Sequence, residues 1–186
     1  MKLFPLRFGT VLALLLLLAP SGARALDFVT LPVGTGVASM AVAADGTAWF
    51  SAQFSGSVGR VSPSGQVSLF ELPTKGAQPL GLALHPDGSA WAADQSGARL
   101  GRVAPDGTIR EFSVPNAPLG LAVARDGGVW FGSPSTRKLG RLDPATGKVS
   151  WTDLPEAPVA LATGLDGSVW VALGVGDRLA KVPPKG

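Results

Sequence analysis

The chain has 186 residues, a formal charge of +3 and no cysteine, so disulfides and a lipid-modified N-terminal cysteine are both excluded. The charge excess sits wholly in the first 25 residues, at Lys2, Arg7 and Arg24; the rest carries 13 basic and 13 acidic residues. A balanced chain of that kind gives no ground for a nucleic-acid or anionic-membrane partner.

In chain order, the first element is a leader. Lys2 and Arg7 precede an apolar run over residues 11–18, Pro20 to Gly22 break it, and Ala23-Arg24-Ala25 follows. A positive start, a short apolar stretch and an A-x-A site are the marks of a secretory signal. The run is too short to span a bilayer. Residues 1–25 are therefore expected to be removed, leaving residues 26–186 as one domain, periplasmic or secreted and free of the membrane.

Beyond the leader the chain repeats. Asp-Gly begins at Asp45, Asp87, Asp126 and Asp166, in steps of 42, 39 and 40 residues. A tryptophan stands four residues after each Asp, at Trp49, Trp91, Trp130 and Trp170. Gly59-Arg60, Gly101-Arg102, Gly140-Arg141 and Ala180-Lys181 follow each Trp at ten residues. Before each Asp-Gly lies a short apolar stretch such as Met40-Ala41 or Leu121-Ala122, suited to an innermost strand. Asp-Gly is a hairpin signal because Gly accepts the positive φ such turns need. A strand with the Trp, a loop and a strand with the Gly-Arg pair come next. A second turn follows (Pro63-Ser64-Gly65, Pro105-Asp106-Gly107, Pro144 to Gly147), then a fourth strand ending at Leu72-Pro73, Val114-Pro115 and Leu154-Pro155.

Four hairpin-linked strands at a period near forty residues predict an all-β propeller of four blades. Helical repeats of that period fail because 25 Gly and 16 Pro are spread throughout. The recurrent Trp is expected to pack between blades rather than to stack on a ligand. The fourth repeat stops short of a fourth strand, and residues 26–32 read like one. The expectation is that this N-terminal strand closes the last blade; an open four-blade arc, or a larger ring made by two chains, is the alternative.

The pattern Pro-x-Gly-Leu-Ala-x-x-x-Asp-Gly-x-x-Trp-Phe followed by Leu-Gly-Arg-x-x-Pro, clearest over residues 118–144 and 79–105, resembles the streptogramin lyase (virginiamycin B lyase) family of propellers, which is related to NHL-repeat propellers. The resemblance implies rings of six or seven blades, a magnesium ion and a His/Glu acid-base set that opens a cyclic depsipeptide by elimination at an ester. That chemistry needs a base beside the carbonyl and an ion for the developing charge. The family commonly reads Trp-Phe-Thr-Glu, with its functional groups just after. Here the equivalent loops, residues 51–57, 93–99, 132–138 and 172–178, hold no His and no Glu. Asp94 alone keeps an acid at the Glu position; Ala52, Ser133 and Leu173 take the others. His85, the single histidine, sits two residues before Asp87, where the other repeats have Ala43, Ala124 and Gly164.

One further signal is a cation two places before the Gly-Arg or Ala-Lys pair in three of four repeats: Arg99, Lys138 and Arg178, against Ser57. With Gln53, Asp94, Gln95 and Arg137 these residues are the candidates for a polar or anionic ligand on one face of the ring; the plainer reading is solvated loop charge. The expected function is a propeller that binds a small molecule or a protein without catalysis, using no cofactor. The alternative is a magnesium-dependent streptogramin B lyase. Export is checked by mass spectrometry of the protein from the extracytoplasmic fraction, which is expected to begin at Leu26; an intact leader held in a membrane fraction would make it an anchor.

Overall fold

The computed structural model describes residues 27–184; the leader lies outside them. Fifteen strands among the described residues form four antiparallel sheets. Blade 1 is β1 (Val37–Val42), β2 (Ala48–Ala52), β3 (Ser57–Val61) and β4 (Val67–Glu71). Blade 2 is β5 (Pro79–Leu84), β6 (Ala90–Asp94), β7 (Arg99–Val103) and β8 (Ile109–Ser113). Blade 3 is β9 (Leu121–Val123), β10 (Val129–Ser133), β11 (Lys138–Leu142) and β12 (Val149–Asp153). Blade 4 has only β13 (Pro158–Thr163), β14 (Val169–Leu173) and β15 (Leu179–Val182). In each blade the strands lie side by side in chain order.

The local chemistry explains the turns. Asp45, Asp87, Asp126 and Asp166 each accept the backbone N–H two residues on, at 2.8–3.0 Å. Gly88 then takes φ +82°, as its counterparts in the other three turns do. The inner strands run so close to the axis that a Cβ on Gly81 would stand 2.2 Å from the Leu119 carbonyl oxygen of blade 3. Gly59 meets a different need. The Phe50 ring of the neighbouring strand lies over it, and a Cβ there would fall 2.1 Å from the ring.

The second strand of a blade is covered on both faces, which is why β2, β6 and β10 read as nearly unbroken apolar runs. Three clusters form the core, one at each junction between blades. Trp49, Val58 and Phe70 of blade 1 pack on Leu82, Ala92 and Val103 of blade 2. Trp91, Leu100 and Phe112 meet Leu121, Val129 and Phe131. Trp130 and Leu139 meet Val169 and Val171. Polar links add to these: Ser51 Oγ donates to Leu80 O at 2.7 Å, and Arg60 Nη1 donates to Pro105 O at 3.0 Å. Trp49, Trp91 and Trp130 are thus core residues, as their spacing implied, whereas Trp170 is partly exposed.

One expectation fails. Residues 27–32 form no strand, and blade 4 keeps three. The inner strands touch in the series β1–β5, β5–β9 and β9–β13, so the blades make an open arc rather than a ring closed by the N-terminus. The reason is positional. Residues 35 and 36 are hydrogen-bonded to blade 1, through Gln53 N to Gly36 O at 2.8 Å and Phe54 N to Thr35 O at 3.3 Å. The segment before them therefore stays at one end of the arc, and β15 stands at the other.

Burial sets the expected cost of losing each tryptophan. Trp91 is fully buried and Trp170 is 39% exposed. Trp91→Ala is expected to destabilise by about 3–5 kcal/mol and Trp170→Ala by less than half of that, read as the shift in urea midpoint. The comparison is made on the single-chain species, where equal shifts would contradict the arc.

Candidate functional site

The strand order gives the molecule two ends. The Asp-Gly and Pro-x-Gly turns share one, the turn end. The loops between second and third strands share the other, the loop end, with the connections between blades.

All seven candidate ligand residues lie at the loop end. Gln53 follows β2, Asp94 and Gln95 close β6, Arg99 opens β7, Arg137 and Lys138 precede and open β11, and Arg178 precedes β15. Asp94 is buried. Its Oδ1 accepts from Gln78 N at 2.8 Å, Ser96 N at 3.2 Å and Ser96 Oγ at 2.9 Å, which ties the loop to the connection before β5. Its Oδ2 is buried without a hydrogen bond, close under Gly97. Arg99 donates to Ser113 Oγ at 2.9 Å, Lys138 pairs with Asp153, and Arg178 with Glu156. Arg99 and Lys138 are thus held inside their own blades, and Arg178 is held to the connection between blades 3 and 4. Arg137 is exposed; its backbone is left-handed at φ 54°, and its carbonyl accepts from Leu154 N at 2.8 Å. Gln95 is exposed and Gln53 half-buried.

At the turn end, Asp87 and the basic residue of the third strand form a repeated pair. Arg102 reaches Asp87 and Arg141 reaches Asp126, both at 2.8 Å, and Lys181 reaches Asp166 at 3.0 Å. Partial burial acts to raise the Asp87 pKa but is outweighed by the Ser89 hydroxyl and amide, Arg102 and His85, which hold it well below the usual carboxylate range. Asp166 is held low in the same way, by the Ser168 hydroxyl and amide and then Lys181.

His85 belongs to this network. Its Nδ1 lies 2.9 Å from Asp87 Oδ1 and 3.2 Å from the Asp87 amide, and its Nε2 faces Gly127 O of blade 3 at 3.3 Å. The ring therefore bridges two blades. It follows β5, whereas Asp94 ends β6, and the register pairs Leu84 with Ala90 but Pro79 with Asp94. The two residues stand at opposite ends of the blade, about 17 Å apart for a five-residue strand. Among the described residues no three His, Asp or Glu side chains gather as a metal site. The residues present therefore do not fit the magnesium and His/Glu set implied by the resemblance.

The concave surface that the sequence reading missed is at the turn end. A cavity of about 420 Å³ is lined by His85, Pro86, Arg125, Thr163, Gly164 and Leu165. A second, of about 400 Å³, lies between blades 3 and 4 and includes Arg125, Asp126, Trp130, Asp166 and Pro184. Arg125 is exposed and borders both. The signal was present in the repeat: the residue before each turn Asp is Ala44, Pro86, Arg125 or Leu165, a slot that varies beside an unvarying Asp-Gly. A third groove, of about 340 Å³, runs along the axis between the inner strands of all four blades.

Comparison with known proteins agrees with this architecture. The sequence matches the model of the Virginiamycin B lyase family over residues 24–182. No curated protein matches the chain. Virginiamycin B lyase from Staphylococcus aureus, in its selenomethionine form, superposes with a TM-score of 0.74 at 26% identity, over 80% of this chain and 53% of that one. A catalytically inactive histidine-to-alanine variant of virginiamycin B lyase from Staphylococcus aureus, solved with quinupristin, gives a TM-score of 0.76 at 26% identity, over 82% and 54%. A gluconolactonase from Xanthomonas campestris gives 0.64 at 19% identity, over 82% and 63%, a likeness of fold alone. The chain thus spans about half the length of the lyases it matches.

The turn-end network makes stability depend on pH. A carboxylate with a lowered folded pKa contributes stability above its unfolded value, near 3.9, and loses it as pH falls through the folded value. Asp87→Asn is expected to lower the melting temperature at pH 7, with the gap to the parent protein closing below about pH 4. A gap independent of pH would show that Asp87 acts through packing rather than charge.

Proposed function

We propose that this protein, which belongs to the Virginiamycin B lyase family, is an exported propeller that binds a polar or anionic ligand and does not open streptogramin rings. The observation that carries the reading is the position of His85. Both its ring nitrogens are engaged by Asp87 and Gly127, and Asp94 lies at the far end of the strand pair. Elimination needs a positioned base at the reacting centre, and no other imidazole exists in the chain. The solved Staphylococcus aureus variant supports the distinction between binding and turnover: it is described as catalytically inactive, lacks one histidine and is solved with quinupristin. The apolar leader supports export.

The ligand surface proposed is the turn end. The depression there, of about 420 Å³, is open to solvent and has room for a small molecule. Arg125 at its rim supplies a donor fork suited to carboxylate or phosphate. The loop-end residues Gln53, Gln95 and Arg137 offer a second polar surface. Asp94, Arg99, Lys138 and Arg178 serve chiefly to hold their loops.

The test is to incubate the protein with magnesium and a streptogramin B compound and to follow ring opening by mass spectrometry. No opening above background is expected. In thermal-shift measurements with carboxylate and phosphate ligands, Arg125→Ala is expected to lose the stabilisation that the parent shows. Turnover that vanishes in His85→Ala or Asp94→Ala would establish the lyase reading instead.

A further inference from the structure

Both ends of the arc carry the chemistry of a blade junction with no blade against them. On blade 4, Trp170 and Leu179 are 39% and 67% exposed, whereas Trp49, Trp91 and Trp130, and Val58, Leu100 and Leu139, are buried at the same places in the other blades. On blade 1, Met40 and Val42 are 61% and 60% exposed, whereas Leu82 and Leu121, and Val123, are buried. The two faces are complementary halves of the junction that forms three times within the chain.

A strand and an edge are also left over. The outer side of β15 has no partner among the described residues, whereas the third strands β3, β7 and β11 are each paired with a fourth. Residues 27–32 form no strand, and Phe28 is 87% exposed. An unpaired edge and an exposed apolar segment are liabilities that folded proteins normally cover. The sequence sets how they match. Aligning Leu31-Pro32 with Leu72-Pro73, Val114-Pro115 and Leu154-Pro155 puts Asp27 in the place of Ser68, Arg110 and Ser150. Those residues pair across the strands with Arg60, Arg102 and Arg141. The counterpart in blade 4 is Lys181, so Asp27 falls opposite a cation, a favourable cross-strand pair. Val29 falls in the place of Phe70 and Phe112, which oppose Val58 and Leu100; its own opposite is Leu179.

We propose that two copies of the chain join head to tail, blade 4 of each against blade 1 of the other, with residues 27–30 of each supplying the fourth strand of the other's blade 4. The segment is placed for this. Residues 31–36 lead from it to β1 much as residues 72–78 lead from β4 to β5, and residues 35 and 36 are fixed to blade 1. A strand anchored there pairs with whichever blade packs behind blade 1, and the chain's own blade 4 is at the other end of the arc. Related by a two-fold axis, the two heterologous contacts close on each other. They give an eight-bladed ring in which every blade has four strands and a neighbour on each face, leaving only the short outermost edges.

The experiment uses the full chain expressed with its own leader. Light scattering is expected to give the mass of two chains. Because the chain has no cysteine, Asp27→Cys combined with Lys181→Cys introduces one disulfide at each of the two contacts of the ring. Directly opposed residues lie within its reach. Mild oxidation is expected to yield a covalent two-chain species that reductant dissolves and that neither single variant yields at the same protein concentration. Asp27→Lys is expected to weaken the dimer at least tenfold, and Asp27→Lys with Lys181→Asp to restore it. A monomeric parent, a cross-link confined to one chain, or a dimer indifferent to both charge changes would each overturn the proposal.

Discussion

The contact between neighbouring blades is the interaction on which everything else depends. A blade is a small twisted sheet with two apolar faces, and a small sheet cannot bury both by itself. Trp91 is fully buried because blade 3 stands in front of it, as Trp49 is by blade 2 and Trp130 by blade 4. The same side chain at position 170 is 39% exposed, with no further blade against it among the described residues. Stability in such an array is a sum over units and their junctions, so what ends the array matters as much as what fills it.

Charge is used mainly to hold the turns. The Asp of each Asp-Gly turn caps its own backbone, and in blades 2, 3 and 4 it also pairs with the basic residue of the third strand. That residue lies along the tryptophan as well: Arg141 is 5.9 Å from the Trp130 ring centroid and Lys181 is 5.2 Å from that of Trp170. Turn, cation and tryptophan are therefore one unit in blades 3 and 4. In blade 1, Arg60 instead crosses to Pro105 of blade 2. His85 enters this framework as a link between the turns of blades 2 and 3, which accounts for a histidine where the other repeats have alanine or glycine.

Membership of a lyase family does not by itself carry lyase chemistry, because function resides in side chains placed on a fold rather than in the fold. The solved lyases at 26% identity share the blade architecture. In this chain the acid at the family's Glu position is turned inward to tie the loop before β5, and the histidine is at the opposite end. The concave, cation-bordered surface lies with the histidine rather than with the acid.

The number of blades, the order of strands, the turns and the core tryptophans were all legible in the sequence. Each depends on residues close together in the repeat: Asp-Gly for the turn, Trp four residues on, Gly-Arg ten further. Arg99, Lys138 and Arg178 could be placed at one end of the blades by the same spacing. Their partners could not, because Ser113, Asp153 and Glu156 are distant in sequence and meet them only through strand pairing or loop packing. The pairing of residues 27–32 was misread for a related reason. Their pattern states that they suit a fourth strand, but not which blade lies within reach. The curvature of the arc decides that, and curvature is the accumulated effect of how side chains from separate repeats fit at three junctions. Periodicity is a local property written in each repeat; closure is a property of the whole array, and only the packed structure shows that blade 4 does not return to blade 1.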